Sequence, residues 1–493
     1  MDESVEQIDP TQELTTESVK KRAASGAVLL TIRTIFIQVL NFFFSNGLLA
    51  AFLIPAQYGV FFLVSAVINF LAYFSDIGFA AALIQKKDKL TGEDLRTVFT
   101  VQQTLIILLV IIIFAITPLI RNFYHLNQES VYLLWALAFT LFASSLKTIP
   151  SVLLERKLEF NKLVIPQILE AIVFNVTVVY LAWKGFGISS FTLAVLARSI
   201  IGLISTYIIQ PWLPSISFSM SAFKSILKFG IPYQMNVFLA MVKDDGMTLF
   251  LGSIIGPSGV GLLGWAQKWA YAPLRFFMDQ VIKVTFPAFS RLQDNKKDLS
   301  DLVTKSVFFV CLFVFPSLVM LVLLAPILVD IIPKYNQWRP ALFAISVLTI
   351  TSGLAAVTTP LTNTLNAIGK ISTTFKLMTM WTFLTWIFVP LLAVLYGLNG
   401  AAAGFTVVGF SSFVALYLVS RYVDINYLQS VGKPLVASCV MGILIFVVKN
   451  FLPTSWLQVI ILVTIGLISY LLAIFIIEPK LILEIKDILK KKQ

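Results

Sequence analysis

Across 493 positions the chain has one histidine, two cysteines and only 13% charged residues. The lone His125 falls in a short polar connection, so no His-rich metal centre can be built. Cys311 and Cys439 each sit inside an apolar run with no partner at metal or redox spacing. Both are expected as small buried side chains. Soluble globular chains carry about 25% charged residues, and this chain has too little charge to cover a surface in water. No G-x-x-x-x-G-K-S/T motif occurs: Gly369-Lys370 runs into Ile371, and Gly432-Lys433 into Pro434. ATP hydrolysis through a P-loop is thereby excluded. No long polar loop is available to carry acid and base residues, which argues against a membrane glycosyltransferase or glycan polymerase. The expectation is a protein that is not an enzyme and holds no cofactor or metal.

In place of charge the chain has 58% hydrophobic and 13% aromatic residues, with a mean hydropathy of +0.89. Apolar runs long enough to cross a bilayer are expected near 24–52, 57–84, 96–120, 130–150, 162–183 and 187–210. A second series lies near 226–252, 258–284, 303–332, 340–366, 371–396 and 398–420, and a last pair at 434–452 and 456–477. Roughly 350 residues would then lie in lipid, leaving no length for a soluble domain. Soluble hydrolases, dehydrogenases and nucleic-acid binders are excluded. Residues 1–22 are polar and acidic, unlike a signal peptide.

The net charge of +12 is explained by topology. Of 37 Lys and Arg residues, 26 fall in alternate connections and the two tails, against five (Arg121, Lys184, Lys334, Arg339 and Lys449) on the opposite side. The positive-inside rule then places both termini in the cytoplasm. A repeat is visible at an offset of 202: Ile54-Pro55-Ala56-Gln57-Tyr58-Gly59-Val60 aligns with Gly256-Pro257-Ser258-Gly259-Val260-Gly261-Leu262. Downstream, Lys86-Lys87-Asp88 is matched with Lys296-Lys297-Asp298. Two six-helix sets of like orientation are parallel repeats, a plan that suits alternating access. The expected fold is an all-α polytopic membrane protein of about 14 transmembrane helices, two parallel six-helix bundles and a C-terminal pair. Its divisions are a tail at 1–22, bundles at 23–213 and 214–421, the pair at 433–477 and a basic tail at 478–493.

Ionisable residues inside apolar spans are functional candidates. Arg33 either snorkels to the cytoplasmic interface or faces a cavity; Asn41 and Ser45 share its face. Asn69, Tyr73 and Asp76 form a polar stripe in the second span. In the eighth, Lys268, Arg275, Asp279 and Lys283 recur at i, i+7, i+11 and i+15 on one face. That stripe is either neutralised within itself, through Asp279, or lines a water-filled cavity that accepts an anion. Lys243-Asp244-Asp245-Gly246 in the seventh span is either a helix end or a place where one acid neutralises a cation and the other takes a coupling ion. Glu170 and Arg198 are expected as an interhelical salt bridge. The Thr/Asn-rich stretch Thr358–Asn366 either bonds across helices or lines a sugar path.

Three stretches carry a resemblance. They are Phe74-Ser75-Asp76-Ile77-Gly78-Phe79-Ala80 with Leu90–Phe99 downstream, Leu154-Glu155-Arg156-Lys157-Leu158-Glu159-Phe160, and Phe286-Pro287-Ala288-Phe289-Ser290-Arg291. They resemble the bacterial polysaccharide and lipopolysaccharide flippases of the multidrug/oligosaccharidyl-lipid/polysaccharide exporter superfamily, in particular the colanic-acid-exporter branch. The resemblance implies a V-shaped two-lobe flippase of the inner or plasma membrane. It would carry an undecaprenyl-pyrophosphate-linked oligosaccharide from the cytoplasmic to the periplasmic leaflet, for lipopolysaccharide or exopolysaccharide synthesis. Arg33, Lys268 and Arg275 would hold the pyrophosphate, while Asp76, Asp244 or Asp245 would respond to H⁺ or Na⁺. Asn41, Asn69, Tyr73, Lys243 and Asp279 would add polarity to the cavity, and polysaccharide-assembly proteins are possible partners. A cation-coupled multidrug antiporter of the same superfamily and a membrane glycan polymerase are the alternatives.

Overall fold

The computed structural model describes residues 16–73, 78–86, 90–224 and 238–479. All regular structure among them is helical, and twelve helices are long and apolar enough to cross a membrane. The chain is a multi-pass membrane protein. Two of the twelve runs, Phe238–Arg291 and Ile371–Ser420, have the length of two crossings each. Both are interrupted by a glycine with positive φ, Gly256 (φ 66°, ψ 177°) and Gly397 (φ 59°, ψ −135°). The fourteen expected spans and the twelve long helices are compatible on that basis.

Two compact units divide the chain, Met1–Gly261 and Leu262–Gln493. In the first, α1 (Thr16–Asn41) continues through a π-helical turn, Phe42–Gly47, and a 3₁₀ turn, Leu48–Ala51. Then follow α2 (Pro55–Ala72), α3 (Phe79–Gln85), α4 (Gly92–Phe123), α5 (Gln128–Leu146), α6 (Thr148–Arg156), α7 (Phe160–Trp183) and α8 (Ser189–Ile209). A second π-helical turn, Val242–Gly246, leads into α9 (Met247–Arg291). Helix α2 starts on Pro55, whose missing N–H is one the helix would leave unpaired in any case, and Gln57 Oε1 accepts from the Ile54 N–H at 3.1 Å. Helix α7 packs on α8 and α1, and α5 on α4, α2 and α8.

The expected second span, 57–84, is not continuous. Helix α2 ends at Ala72, and α3 starts after Gly78, which takes a left-handed φ of 70°. The fourth is likewise split at Lys147, between α5 and α6.

The second unit holds α10 (Lys296–Ile331), α11 (Leu342–Ala367), α12 (Ile371–Phe410), α13 (Ser412–Ser420), α14 (Lys433–Lys449) and α15 (Trp456–Ile477). Its core gathers Phe289, Val303, Val307, Val310, Cys311 and Val314 around α10. Trp265 stacks on Trp338, with centroids 4.8 Å apart. Helices α14 and α15 pack on each other and on α10, where the Tyr470 hydroxyl donates to Leu312 O at 2.6 Å. Cys311 is buried as expected, whereas Cys439 is exposed on α14. The expectation that both are buried is corrected there, because α14 turns an apolar face outward, with Val440, Ile443 and Phe446 also exposed.

The repeat is visible in matched local devices. A Cβ built on Gly59 would overlap the carbonyl of Pro257, and one on Gly261 the carbonyl of Pro55. The two aligned turns therefore touch backbone to backbone. Helix α4 is capped by Thr91, which accepts from the Asp94 N–H at 3.1 Å. Helix α10 is capped by Asn295, which accepts from the Asp298 N–H at 3.3 Å. Asp298 is thus the counterpart of Asp94. The two basic stretches matched in the sequence, Lys86-Lys87-Asp88 and Lys296-Lys297-Asp298, lie at these capped starts; Lys87 and Asp88 lie outside the described residues. Chain leaving α8 donates from Ser217 and Ser219 N–H to Thr100 and Thr97 of α4 at 3.0 and 3.1 Å. Chain leaving α13 donates from Asp424 and Asn426 N–H to Ser300 and Thr304 of α10 at 3.1 and 3.4 Å. Each emerging segment of backbone thus finds hydroxyl acceptors within the first three turns of a neighbouring helix.

Candidate functional site

Within the first unit a cavity of about 350 Å³ opens between α1, the α5–α6 joint, α7 and α8. Arg33, Ile37 and Asn41 reach it from α1 at i, i+4 and i+8, and Gln167, Glu170 and Phe174 from α7. Lys147 enters from the joint and Arg198 from α8. Glu170 forms a short ion pair with Lys147 Nζ, and its other oxygen lies 3.6 Å from Arg198 Nε. The Lys147 and Glu170 side chains are 14% and 13% exposed, Arg198 50%. Gly202 of α8 makes room for the carboxylate, since a Cβ there would overlap Glu170 Oε1. Arg33 makes no ion pair among the described residues, and its Nε is buried without a hydrogen-bond partner. Among the described residues this wall carries three cations and one acid.

Below this cluster the wall is held by neutral hydrogen bonds. Asn175 Nδ2 donates to Asn41 Oδ1 at 2.8 Å and to Ala171 O at 2.8 Å. Ser45 Oγ donates to Asn175 Oδ1 at 2.9 Å, and the Tyr58 hydroxyl donates to Ser45 O. The π-helical turn at Phe42–Gly47 brings Ser45 to this network. Such a turn holds one residue more than an α turn and is frequent at functional sites.

A second cavity in the same unit, about 570 Å³, is walled by α2, α4, α5, α6 and the run from Phe238. Asn69, Tyr73, Gln102, Ser144, Thr148, Asp244 and Asp245 give it polarity. Asn69 Nδ2 donates to Asp245 Oδ1 at 3.4 Å, and Lys243 Nζ lies 3.3 Å from Asp244 Oδ1. Gln102, 7% exposed, donates to Thr148 Oγ1 at 3.1 Å, which leaves its Oε1 buried without a partner among the described residues.

The residues singled out in the sequence distribute as follows. Arg33 and Asn41 line the first cavity, and Asn69, Tyr73, Asp244 and Asp245 the second. Lys243 is paired to Asp244. The expected Glu170–Arg198 bridge is present, but Lys147 is the nearer partner. Lys268, Arg275 and Asp279 belong to α9 in the second unit, where Lys268 and Asp279 are half-buried and Arg275 is exposed. Asp76 lies outside the described residues. Lys147, Arg198 as a cavity cation, Gln167 and Gln102 were not among the expected site residues. For Lys147 a signal existed: with Ser151 and Leu154 it falls at i, i+4 and i+7, one helix face.

A family model described as "Polysaccharide biosynthesis protein" matches residues 48–342, more than half of the chain. The chain belongs to this family. It is 23% identical to the lipopolysaccharide biosynthesis protein WzxC of Escherichia coli over 407 residues, covering 82% of this chain and 81% of that one. The teichuronic acid biosynthesis protein TuaB of Bacillus subtilis is 24% identical over 482 residues, covering 92% and 95%. Among solved structures, lipid II flippase MurJ in an inward closed conformation superposes with a TM-score of 0.76 at 19% identity, covering 92% of this chain and all of that one. An inward-facing multidrug MATE transporter gives 0.60 at 17%, covering 80% and 98%. At these identities the two structures establish a shared fold.

Proposed function

We propose that the protein is a flippase that moves a polyprenyl-diphosphate-linked oligosaccharide from the cytoplasmic to the outer face of the inner or plasma membrane. The observation that carries the reading is the first cavity, where Arg33, Lys147 and Arg198 surround Glu170 with a net charge of two positive. A diphosphate esterified at both ends carries two negative charges, and Arg supplies the paired N–H donors that phosphate oxygens accept. The names of the relatives, lipopolysaccharide and teichuronic acid biosynthesis proteins, fit such a cargo.

In this reading two six-helix lobes, 23–213 and 214–421, exchange access to the two faces, and both termini are cytoplasmic. The pair at 433–477 is an appendage. On the second lobe Lys268 and Arg275 offer the cargo further cations, with Asp279 moderating their charge. Asp76, Asp244 and Asp245 answer H⁺ or Na⁺, biasing one access state through differential affinity. Asn69, Tyr73 and Lys243 adjust that second site. Polysaccharide-assembly proteins are the partners such a cargo calls for.

A drug antiporter is the second reading, favoured only by the acidic wall of the 570 Å³ cavity. Reconstitution into proteoliposomes decides between them. A fluorescent lipid-linked oligosaccharide placed in one leaflet should become accessible in the other. Transport of a cationic dye with no movement of the lipid would overturn the proposal, as would formation of polymerised glycan by the purified protein.

A further inference from the structure

We infer that Glu170 is a resident counter-anion: it holds Lys147 and Arg198 in the empty cavity and yields them to the diphosphate of the cargo, so that cargo is bound loosely enough to leave. The inference rests on the flippase reading above.

Three observations carry it. Among the described residues Glu170 is the only carboxylate on the wall of this cavity, and it touches two of the three cations there. Its two oxygens are divided between them, one on Lys147 and one on Arg198, as two oxygens of a bridging phosphate would be. The opposing helix is shaped to its position, because Gly202 leaves the space that the carboxylate fills. Meanwhile Arg33 has no such counter-charge among the described residues, and its Nε and Gln167 Oε1 are both buried without partners. Arg33 is thus the cation open to an arriving anion, and Lys147 and Arg198 are cations already in use.

The energetics follow from competition. A transporter site must attract its cargo and also let it go, so affinity beyond what entry requires slows the cycle. With Glu170 ionised, the cavity's excess of two positive charges equals the charge of a doubly esterified diphosphate. Without it the excess is three, and each cargo phosphate would meet an uncontested cation. Arg198, half exposed and at 3.6 Å, is the partner Glu170 releases first. Lys147, more deeply buried, follows.

The test is titration of the purified full-length protein with inorganic pyrophosphate by calorimetry, alongside export in cells. Glu170→Gln should bind pyrophosphate roughly tenfold more tightly, about the 1.4 kcal/mol that a lost competing ion pair converts to. Export should fall in the same variant. Glu170→Asp, which keeps the charge, should return affinity and export towards those of the unchanged protein. Gly202→Ala reaches the same point by another route, pushing the carboxylate aside without removing it, and should also tighten binding. Unchanged or weaker pyrophosphate binding in both Glu170→Gln and Gly202→Ala, with the unchanged protein binding normally and Arg33→Ala binding less, would overturn the inference and leave the flippase reading standing. No pyrophosphate binding by the unchanged protein would overturn both.

Discussion

Gly59 and Gly261 lie against each other's opening turns, each with its Cα where a side chain would strike the carbonyl of a proline, Pro257 for the first and Pro55 for the second. The two contacts are reciprocal and separated by 202 residues, the offset of the sequence repeat. Two Pro-x-x-x-Gly helix starts thus cross with no side chain between them. Helix crossings in membranes use small residues in this way to let backbones approach.

A methyl group at either position should prevent that crossing. Gly59→Ala and Gly261→Ala are each expected to reduce surface polysaccharide at least tenfold while the protein still inserts into the membrane. Quantifying surface glycan against membrane-fraction abundance checks this, and normal glycan in both variants would show that the contact is dispensable.

Arg33 supplies the cavity's uncontested cation. Arg33→Ala should cause lipid-linked oligosaccharide to accumulate on the cytoplasmic face, and Arg33→Lys should restore only part of the flux. Lysine keeps the charge but not the fork that takes two phosphate oxygens. Extraction and chromatography of the lipid-linked pool provide the measurement.

Asp245 and Asp244 should separate in behaviour. Asp244 is exposed and already paired with Lys243, whereas Asp245 is half-buried and accepts a hydrogen bond from Asn69. Asp245→Asn is expected to weaken the dependence of flipping on an imposed ion gradient more than Asp244→Asn does. Proteoliposomes with and without H⁺ and Na⁺ gradients would reveal it, and equal ion dependence in all three proteins would remove this pair from coupling.

Asn175 is fully buried and serves Asn41, Ser45 and its own helix. Asn175→Leu would leave the Ser45 hydroxyl and the Asn41 amide without that partner, at about 1–3 kcal/mol. A lower melting temperature in detergent is expected. By contrast Tyr470→Phe, which removes one hydrogen bond on the appended pair, should cost about 1 kcal/mol and leave export intact.

Much of the helical plan could be read from hydropathy, because a bilayer imposes a length on every crossing. The split of the fourth span could not. Pro150 falls in the first turn of α6, where a missing N–H carries no penalty. Lys147, at the end of the expected 130–150 span, counted only among the basic residues that set the topology, and the cation nearest Glu170 was missed. Arg33 was visible as a charge in an apolar run, and the Glu170–Arg198 pair as two opposite charges in adjacent spans. Gln102 gave no signal, since its significance comes from Thr148, 46 residues away, taking its amide and leaving its carbonyl oxygen bare. Gly202 was equally silent: a glycine among many becomes specific only when a carboxylate occupies the space beside it.

The π-helical turn at Phe42–Gly47 has a consequence for engineering. A surplus residue there winds the far end of the first helix about 100° out of phase with an uninterrupted α-helix. Excising one residue from that turn would let the segment relax into ordinary winding. Ser45 would then swing away from Asn175 while Arg33, more than two turns earlier, stayed where it is. A single-codon deletion would therefore uncouple the Arg33-bearing end of the helix from Tyr58 and the glycine crossing, without altering any charge in the protein.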